Sequence, residues 1–306
     1  MLVNGIHQVH FEPTTKCNAK CPMCSRTNND VILQTPVEVT ISQFIKYFPE
    51  SLVKDLAKFK FCGNYGDPAA ARHLLEQHQY LLSINPQLEI TVSTNGGLRS
   101  PQFWSRLGQL YSNYKKCFVE FHIDGLEDTN HIYRIGVNWK KLIANVEAFN
   151  AAGGRSQWVF IPFFHNEHQI EQAEAMSSEI GCDRFVIKPT TRFKQTIVFY
   201  HKNGKLRPPT TTELRGSMPK VGIVDCVAER RKEIYVDAWG RLWPCCWTGS
   251  AAEKHKSWPM IVDPSINSIE TRTITAILQD KQFNDWVQKM YGDQTSVCTR
   301  CSNPVV

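Results

Sequence analysis

Three cysteines near the N-terminus, Cys17, Cys21 and Cys24, stand in the spacing C-x₃-C-x₂-C. A cubane iron–sulfur cluster ordinarily takes four thiolates, so three leave one iron open to a further ligand. An open iron does chemistry on what it binds, which makes these three cysteines the expected catalytic centre. Two other uses of such a run compete. Zinc sites are usually C-x₂₋₄-C pairs completed by a second pair or by histidines, and this run supplies half of one. Disulfides need an oxidising compartment, yet residues Met1 to Pro13 hold no basic stretch followed by an apolar one, so no signal peptide is expected. No apolar run approaches the roughly 18 residues that span a bilayer. The expectation is a cytoplasmic, membrane-free chain whose thiols are metal-bound or reduced.

A second set lies far downstream: Cys226, Cys245, Cys298 and Cys301. Two thiolates on a hairpin, closed by a C-x₂-C, give four ligands to one centre. On spacing alone a structural zinc fits, and so does a second [4Fe–4S] cluster. Four thiolates leave no open iron, so such a cluster passes electrons or walls a pocket. Cys246 adjoins Cys245, and either of the two can be the ligand. Trp239, Trp243 and Trp247 read as packing around this small metal domain.

These residues need a scaffold. A chain of 306 residues, 42% hydrophobic, is long enough for two domains and a large core. Its net charge of +6 is mild, with basic pairs scattered at Lys115-Lys116, Lys140-Lys141 and Arg230-Arg231-Lys232, so nucleic-acid binding is possible but not favoured. Residues 1–190 alternate β-rich runs with helical patterns, the mark of a parallel sheet. Strands are predicted at Ile6–Glu12, Lys58–Cys62, Glu89–Ser93, Cys117–Ile123, Gln157–Phe164 and Arg184–Ile187. Helices are predicted over 42–56, 69–83, 101–111, 139–152 and 168–180, several with start and stop signals such as Ser100-Pro101 and Gly153-Gly154. A boundary falls near Lys188-Pro189. Beyond it, 191–306 reads as a second domain, with a hairpin of Glu233–Asp237 and Arg241–Pro244 and helices over 268–279 and 281–290.

The cysteine run at the end of the first strand resembles the cluster loop of radical S-adenosylmethionine (SAM) enzymes. The resemblance continues in order along nearly the whole chain. Phe61-Cys62-Gly63-Asn64-Tyr65-Gly66-Asp67-Pro68 is similar to the family's glycine-glycine-glutamate region, and Ser93-Thr94-Asn95-Gly96 to its ribose-contacting strand end. Phe121-His122-Ile123-Asp124-Gly125 with His131-Ile132-Tyr133-Arg134 resembles the S-x-D-G and arginine segment of the subfamily with extra clusters. Cys226, Gly240 to Cys245 and the pair Cys298 and Cys301 resemble that subfamily's C-terminal SPASM or Twitch domain, whose G-x₄-C spacing favours Cys245. Two positions depart: Asp67 stands for the usual Glu, and His122 for a Ser.

The resemblance implies a partial (β/α)₆ barrel with a small auxiliary cluster domain. Parallel barrels carry their sites at the C-terminal strand ends, where the cluster loop, Asp67, Asn95 and Asp124 fall. It implies a SAM-binding [4Fe–4S] cluster on Cys17, Cys21 and Cys24, a second one on the later cysteines, and an external electron donor such as a flavodoxin or ferredoxin. Reductive cleavage of SAM would give a 5′-deoxyadenosyl radical that abstracts hydrogen from a small molecule or peptide. Met23, Gly66, Asp67, Ser93, Asn95, His122 and Arg134 are the implied SAM contacts, with Asp67 on the ammonium and Arg134 on the carboxylate.

The substrate residues are less legible. His165, Asn166, Glu167 and His168 follow the fifth strand, as acid/base groups or as an N-cap with its first turn. The leading expectation is an oxidoreductase whose auxiliary cluster accepts an electron after hydrogen abstraction, giving oxidation or cross-linking. An isomerase or epimerase would instead need a hydrogen donor, for which Cys62, Cys117, Cys182 and Cys246 supply thiols. A modifier of nucleic acid, or a binding protein with structural zinc, stands behind these.

Overall fold

Alternation along each strand decides which side chains meet. In Lys58–Phe61 (β2), Phe59 and Phe61 are fully buried and pack with Phe44 of the helix Ile41–Tyr47, while Lys60 takes the other face. Phe118–His122 (β4) alternates likewise, whereas Gln8–Phe11 (β1), Glu89–Thr94 (β3) and Ser156–Phe160 (β5) are buried almost throughout and Arg184–Ile187 (β6) lies nearer the surface. These six strands are parallel and adjacent in chain order. All six predicted strands are present, with ends moved by a few residues. The computed structural model describes residues 5–27, 34–193, 198–201, 204–216, 222–252, 255, 257–292 and 297–304.

The sheet curls. Lys188, just past β6, acts electrostatically on His10 of β1 and on His122 of β4. Charges on opposite edges of a flat sheet would be too far apart for that. The result is a partial (β/α)₆ barrel with aromatic side chains outside the strands and His10, Lys60, Glu120 and His122 on the concave side.

Two helices differ from expectation. The stretch 42–56 forms two, Ile41–Tyr47 and Glu50–Val53, because Pro49 lacks the N–H to continue the first and disfavours helical geometry at Phe48. The helix expected over 69–83 runs Leu74–Ile84, after a 3₁₀ turn Pro68–Ala70 capped by Asp67. The helices Pro101–Ser112, Trp139–Ala151 and Ile170–Glu179 lie close to their predicted spans.

Beyond β6 come the short pair Phe199–His201 (β7) and Gly204–Leu206 (β8), then Gly222–Val224 (β9), Glu233–Val236 (β10), Leu242–Trp243 (β11) and Ser302–Pro304 (β12). The predicted hairpin is β10–β11, and it is continuous with the barrel. β10 pairs parallel with β1, from Gln8 opposite Glu233 to Phe11 opposite Val236, so one eight-stranded sheet runs β11-β10-β1-β2-β3-β4-β5-β6. Its turn is held by the Asp237 carboxylate, which accepts from Trp239 N, Arg241 N, Arg241 Nε and Trp243 Nε1. The helix expected over 268–279 contracts to Ile274–Leu278, where Thr273 caps the Ala276 amide, and the last helix is Lys281–Gly292. Among the described residues no helix is long and apolar enough to cross a membrane.

Candidate active site

The cysteine loop leaves β1 and is pinned to its neighbours. Thr15 N donates to Val37 O at 3.0 Å, Lys20 N to Ile135 O at 2.8 Å, and Lys16 Nζ reaches Glu38 at 2.6 Å. Within it, Cys17 Sγ accepts from Ala19 N at 3.3 Å and Cys24 N donates to Cys21 O at 3.0 Å. The three thiols act on one another electrostatically. Burial, reinforced by the Asp67 charge, pushes the Cys17 thiol up to about 12. Burial raises Cys21 too, against the pull of Arg134. Such sulfurs keep their protons until a metal's charge replaces them. Among the described residues no three metal-ligating side chains already converge on one ion-sized point. Three soft thiols beside a guanidinium nevertheless suit an iron–sulfur cluster, by the chemistry of the donor set.

Asp67, Ser93, Asn95 and His122 all line the barrel mouth, and most of their polar atoms are engaged within the protein. The Asp67 carboxylate is buried and accepts from Ala69 N (2.9 Å), Thr94 Oγ1 (2.8 Å), Asn95 N (2.8 Å) and Asn95 Nδ2 (2.6 Å). Four donors fill its roughly four lone-pair sites, so a ligand ammonium there must displace one of them. Asn95 Nδ2 also reaches Asn18 Oδ1 at 2.8 Å and Cys17 Sγ at 3.7 Å, while its Oδ1 accepts from Gly97 N. Asn95 thus ties the Asp67 carboxylate to the cysteine loop. The Ser93 hydroxyl donates to Glu120, which also binds Lys60 Nζ at 3.1 Å and Gln157 Nε2 at 3.1 Å. Burial opposes the charge on Glu120, but the hydrogen bond from His122 and the Lys60 ammonium hold it well below the ordinary carboxylate range. Burial lowers His122, whose Nε2 lies 3.8 Å from Glu120. Gly66 is required by space: a Cβ there would meet Thr14 O at 1.7 Å.

Two arginines converge on the cysteine loop. Arg134 Nε donates to Asp124 Oδ2 at 2.6 Å, and its NH1 lies 3.8 Å from Cys21 Sγ. Arg192 was not singled out by the sequence. Its NH1 donates to Met23 O at 3.2 Å and Tyr133 Oη at 3.1 Å, and it feels the charges of Cys24 and Cys21. Nothing local marked it, because it sits in the irregular polar stretch past β6 and reaches the loop only through the fold.

The downstream cysteines also gather. Cys226 directly precedes the short helix Val227–Arg230, and Cys245 stands at the N-cap of Cys246–Ala251. Pairing of β12 with β9 brings Cys301 beside this segment, with Asp225 N donating to Cys301 O at 2.9 Å. Cys226 acts on Cys245 and on Cys301, and Tyr291 feels both Cys226 and Cys298. Cys246 faces elsewhere: its electrostatic neighbours, besides Cys245, are Cys62, Glu233 and Lys60 on the barrel side.

Several expected substrate groups have structural duties. Asn166 Oδ1 accepts from Phe163 N, and its Nδ2 donates to Asp124 O and Ile161 O, so it neither caps a helix with its side chain nor faces the mouth freely. Glu167 is a strut, accepting from Thr210 N, Thr210 Oγ1 and Thr211 N, instead of an acid/base group. His165 stacks on Phe163 and is lowered to about 4 by burial. His168 is exposed. Of the three tryptophans, Trp243 is fully buried, but Trp247 is 43% exposed and does not pack in the core.

Comparison with known proteins bears on both halves. The model of the Radical SAM superfamily matches residues 11–177, and that of an iron–sulfur cluster-binding domain, SPASM, matches residues 226–302. Among solved structures, Streptococcus suis SuiB bound to S-adenosylmethionine superposes with a TM-score of 0.66 at 11% identity, covering 98% of this chain and 73% of that one. The enzyme anSMEcpe with bound AdoMet gives 0.61 at 13% identity, covering 97% and 84%. The same protein with AdoMet and the Cp18Cys peptide gives 0.57 at 13%, covering 91% and 81%. At these identities the likeness is one of fold. No curated protein matches the chain.

Proposed function

The chain belongs to the radical SAM superfamily, and on that premise we propose that it abstracts hydrogen from a small molecule or peptide and passes an electron to an auxiliary cluster, giving oxidation or cross-linking. The matched domains imply a SAM-binding [4Fe–4S] cluster and an auxiliary iron–sulfur centre. When bound, cluster and SAM supply the reducing electron and the hydrogen-abstracting radical; the protein's task is binding, orientation and exclusion of water. Cys17, Cys21 and Cys24 would hold the first cluster, and Cys226, Cys245, Cys298 and Cys301 the second. Arg134, oriented by Asp124, is the group best placed for an anionic end of SAM, with Met23, Gly66, Asp67, Ser93, Asn95 and His122 around it.

The observation that carries this reading is a loop of three cysteines whose buried member, Cys21, is seated against the Arg134 guanidinium. A peptide bound to one structural neighbour favours, by analogy of fold, a peptide among the substrate classes. The test is anaerobic reconstitution with iron and sulfide, then reduction by a flavodoxin or dithionite with SAM present. Iron–sulfur absorption with release of 5′-deoxyadenosine is expected. Bound zinc without visible absorption or SAM cleavage would sink the reading.

One observation favours a second outcome, isomerisation or epimerisation. Cys62 and Cys246 act on each other and on Lys60 inside the barrel, whereas Cys117 is buried at the start of β4 and Cys182 lies before β6. Solvent deuterium in a product unchanged in constitution, lost in Cys62→Ala, would select it over oxidation.

A further inference from the structure

The loop Gly63–Asp67 follows β2 in the barrel, yet three of its contacts come from the other end of the chain. Asn64 Nδ2 donates to Cys246 O at 2.9 Å, and Tyr65 Oη to Ser250 O at 3.3 Å. Both carbonyls belong to the helix Cys246–Ala251, which Cys245 caps. The Tyr65 ring meets Trp239 edge-on at 5.9 Å, in the β10–β11 turn. Under the loop lies Glu12, fully buried, whose Oε1 accepts from Tyr65 N at 2.7 Å and Gly66 N at 2.8 Å. Its Oε2 accepts from Tyr235 Oη of β10 at 2.5 Å. The helix presses on that same tyrosine: a Cβ at Gly249 would come within 2.4 Å of the Tyr235 ring.

The loop has no slack to absorb a shift. Gly66 rests against the Thr14 backbone so closely that no side chain fits, and Asp67 N donates to Lys16 O at 2.9 Å inside the cysteine loop. A displacement of the helix Cys246–Ala251 therefore passes through Asn64, Tyr65 and Glu12 to Gly66, Asp67 and the loop of Cys17. Packed elements of this kind move between discrete arrangements instead of deforming gradually.

We infer that the auxiliary cysteine site and the SAM-binding loop are energetically coupled through the helix Cys246–Ala251, with Asn64, Tyr65 and Glu12 as positioning residues. The inference rests on the reading above that Cys245 ligates the auxiliary centre and that the loop after β2 contacts SAM. Ligation of Cys245 fixes the start of the helix, and the helix sets the loop. Coupling of this kind is reciprocal: filling the auxiliary site tightens SAM binding, and SAM slows metal loss from the auxiliary site.

The experiment is a double-mutant cycle on the reconstituted protein, with the SAM dissociation constant read by calorimetry. Wild type, Asn64→Ala, Cys245→Ala and the double variant are compared. A neutral hydrogen bond has a modest net worth, so Asn64→Ala should weaken SAM by about 2- to 10-fold, and Cys245→Ala, which empties the site at the head of the same route, by at least as much. The double variant should be no weaker than the worse single one, because both interrupt one route. Hydrogen exchange of the SAM-free protein adds a readout independent of turnover: the Tyr65 and Gly66 amides should exchange faster in Asn64→Ala. Tyr65→Phe, which removes only a hydroxyl, replaces Asn64→Ala in the cycle if that variant fails to fold. A wild type that binds no SAM would remove the reading beneath the inference. A wild type that binds SAM, with Cys245→Ala unchanged in affinity or strictly additive with Asn64→Ala, would overturn the coupling alone.

Discussion

Arg134 and Asp124 form a buried pair at the mouth of the barrel, Nε to Oδ2 at 2.6 Å, with Asp124 wholly inaccessible and the arginine side chain 14% exposed. Asp124 is held in turn, because its Oδ1 accepts from Ile161 N at 2.7 Å. One face of the guanidinium is thus committed, and its NH1 is turned to Cys21. A planar fork so oriented suits a carboxylate that must also lie near the cluster. Arg134→Lys keeps the charge and loses the fork, so SAM should bind roughly 10- to 100-fold more weakly, the usual worth of a charged hydrogen bond. Equilibrium binding with the cluster absorption intact checks it. Asp124→Ala should do more, costing about 3–5 kcal/mol of stability, since it strands a buried cation.

Arg192 makes a separate prediction about electron transfer. Its guanidinium feels Cys21 and Cys24, and among the described residues its hydrogen bonds go to Met23 O and Tyr133 Oη. A cation beside the cluster ligands favours the reduced, more negative state. Arg192→Gln should therefore make the reduction potential of the first cluster more negative by some tens of millivolts, as expected for a charge several ångströms away in partly screened surroundings. A redox titration followed by electron paramagnetic resonance reads the shift. An unchanged potential would leave Arg192 as a strut for Met23 and Tyr133.

Much of this site was legible because its markers are local. The spacing of Cys17, Cys21 and Cys24 lies in one loop, and β2 declares itself by the alternation of Lys58, Phe59, Lys60 and Phe61. What escaped the sequence is long-range. Nothing in Glu233–Val236 says that it will pair with Gln8–Phe11, because any strand with Ile234 and Val236 on one face could do so. Glu167 looked like an acid/base candidate until the fold brought Thr210 and Thr211 over it. Asp67 and Asn95 were marked by motif as ligand contacts, but only coordinates reveal that they bind each other.

Glu12 predicts a pH dependence. Burial raises its carboxyl from 4.5 to about 7, against the hydrogen bonds from Tyr235, Gly66 and Tyr65. The folded chain therefore holds this proton more tightly than the unfolded one. Its contribution to stability is fully present below pH 4.5 and declines as the pH rises toward 7. Glu12→Gln stays neutral and keeps an oxygen for the two amides. Relative to wild type it should gain up to about 3 kcal/mol between pH 4.5 and pH 7.5. Urea unfolding of both proteins across that range measures the difference, and parallel pH profiles would rule the effect out.

The two adjacent cysteines at the start of the helix Cys246–Ala251 should separate cleanly. Cys245 is coupled to Cys226, whereas Cys246 is coupled to Cys62 and Lys60 on the barrel side. Both thiols are raised by burial, Cys245 to about 11, so pKa does not distinguish a ligand from a bystander here. Position does. Cys245→Ala should lower the iron of reconstituted protein by about half, one [4Fe–4S] cluster of two, as should Cys226→Ala or Cys301→Ala. Cys246→Ala should retain the full complement, because the groups that act on its thiol, besides Cys245, are Cys62, Glu233 and Lys60 and not the other three cysteines. Iron and sulfide content, with the visible absorption of each variant, decides between them; loss of iron in Cys246→Ala with retention in Cys245→Ala would reverse the assignment.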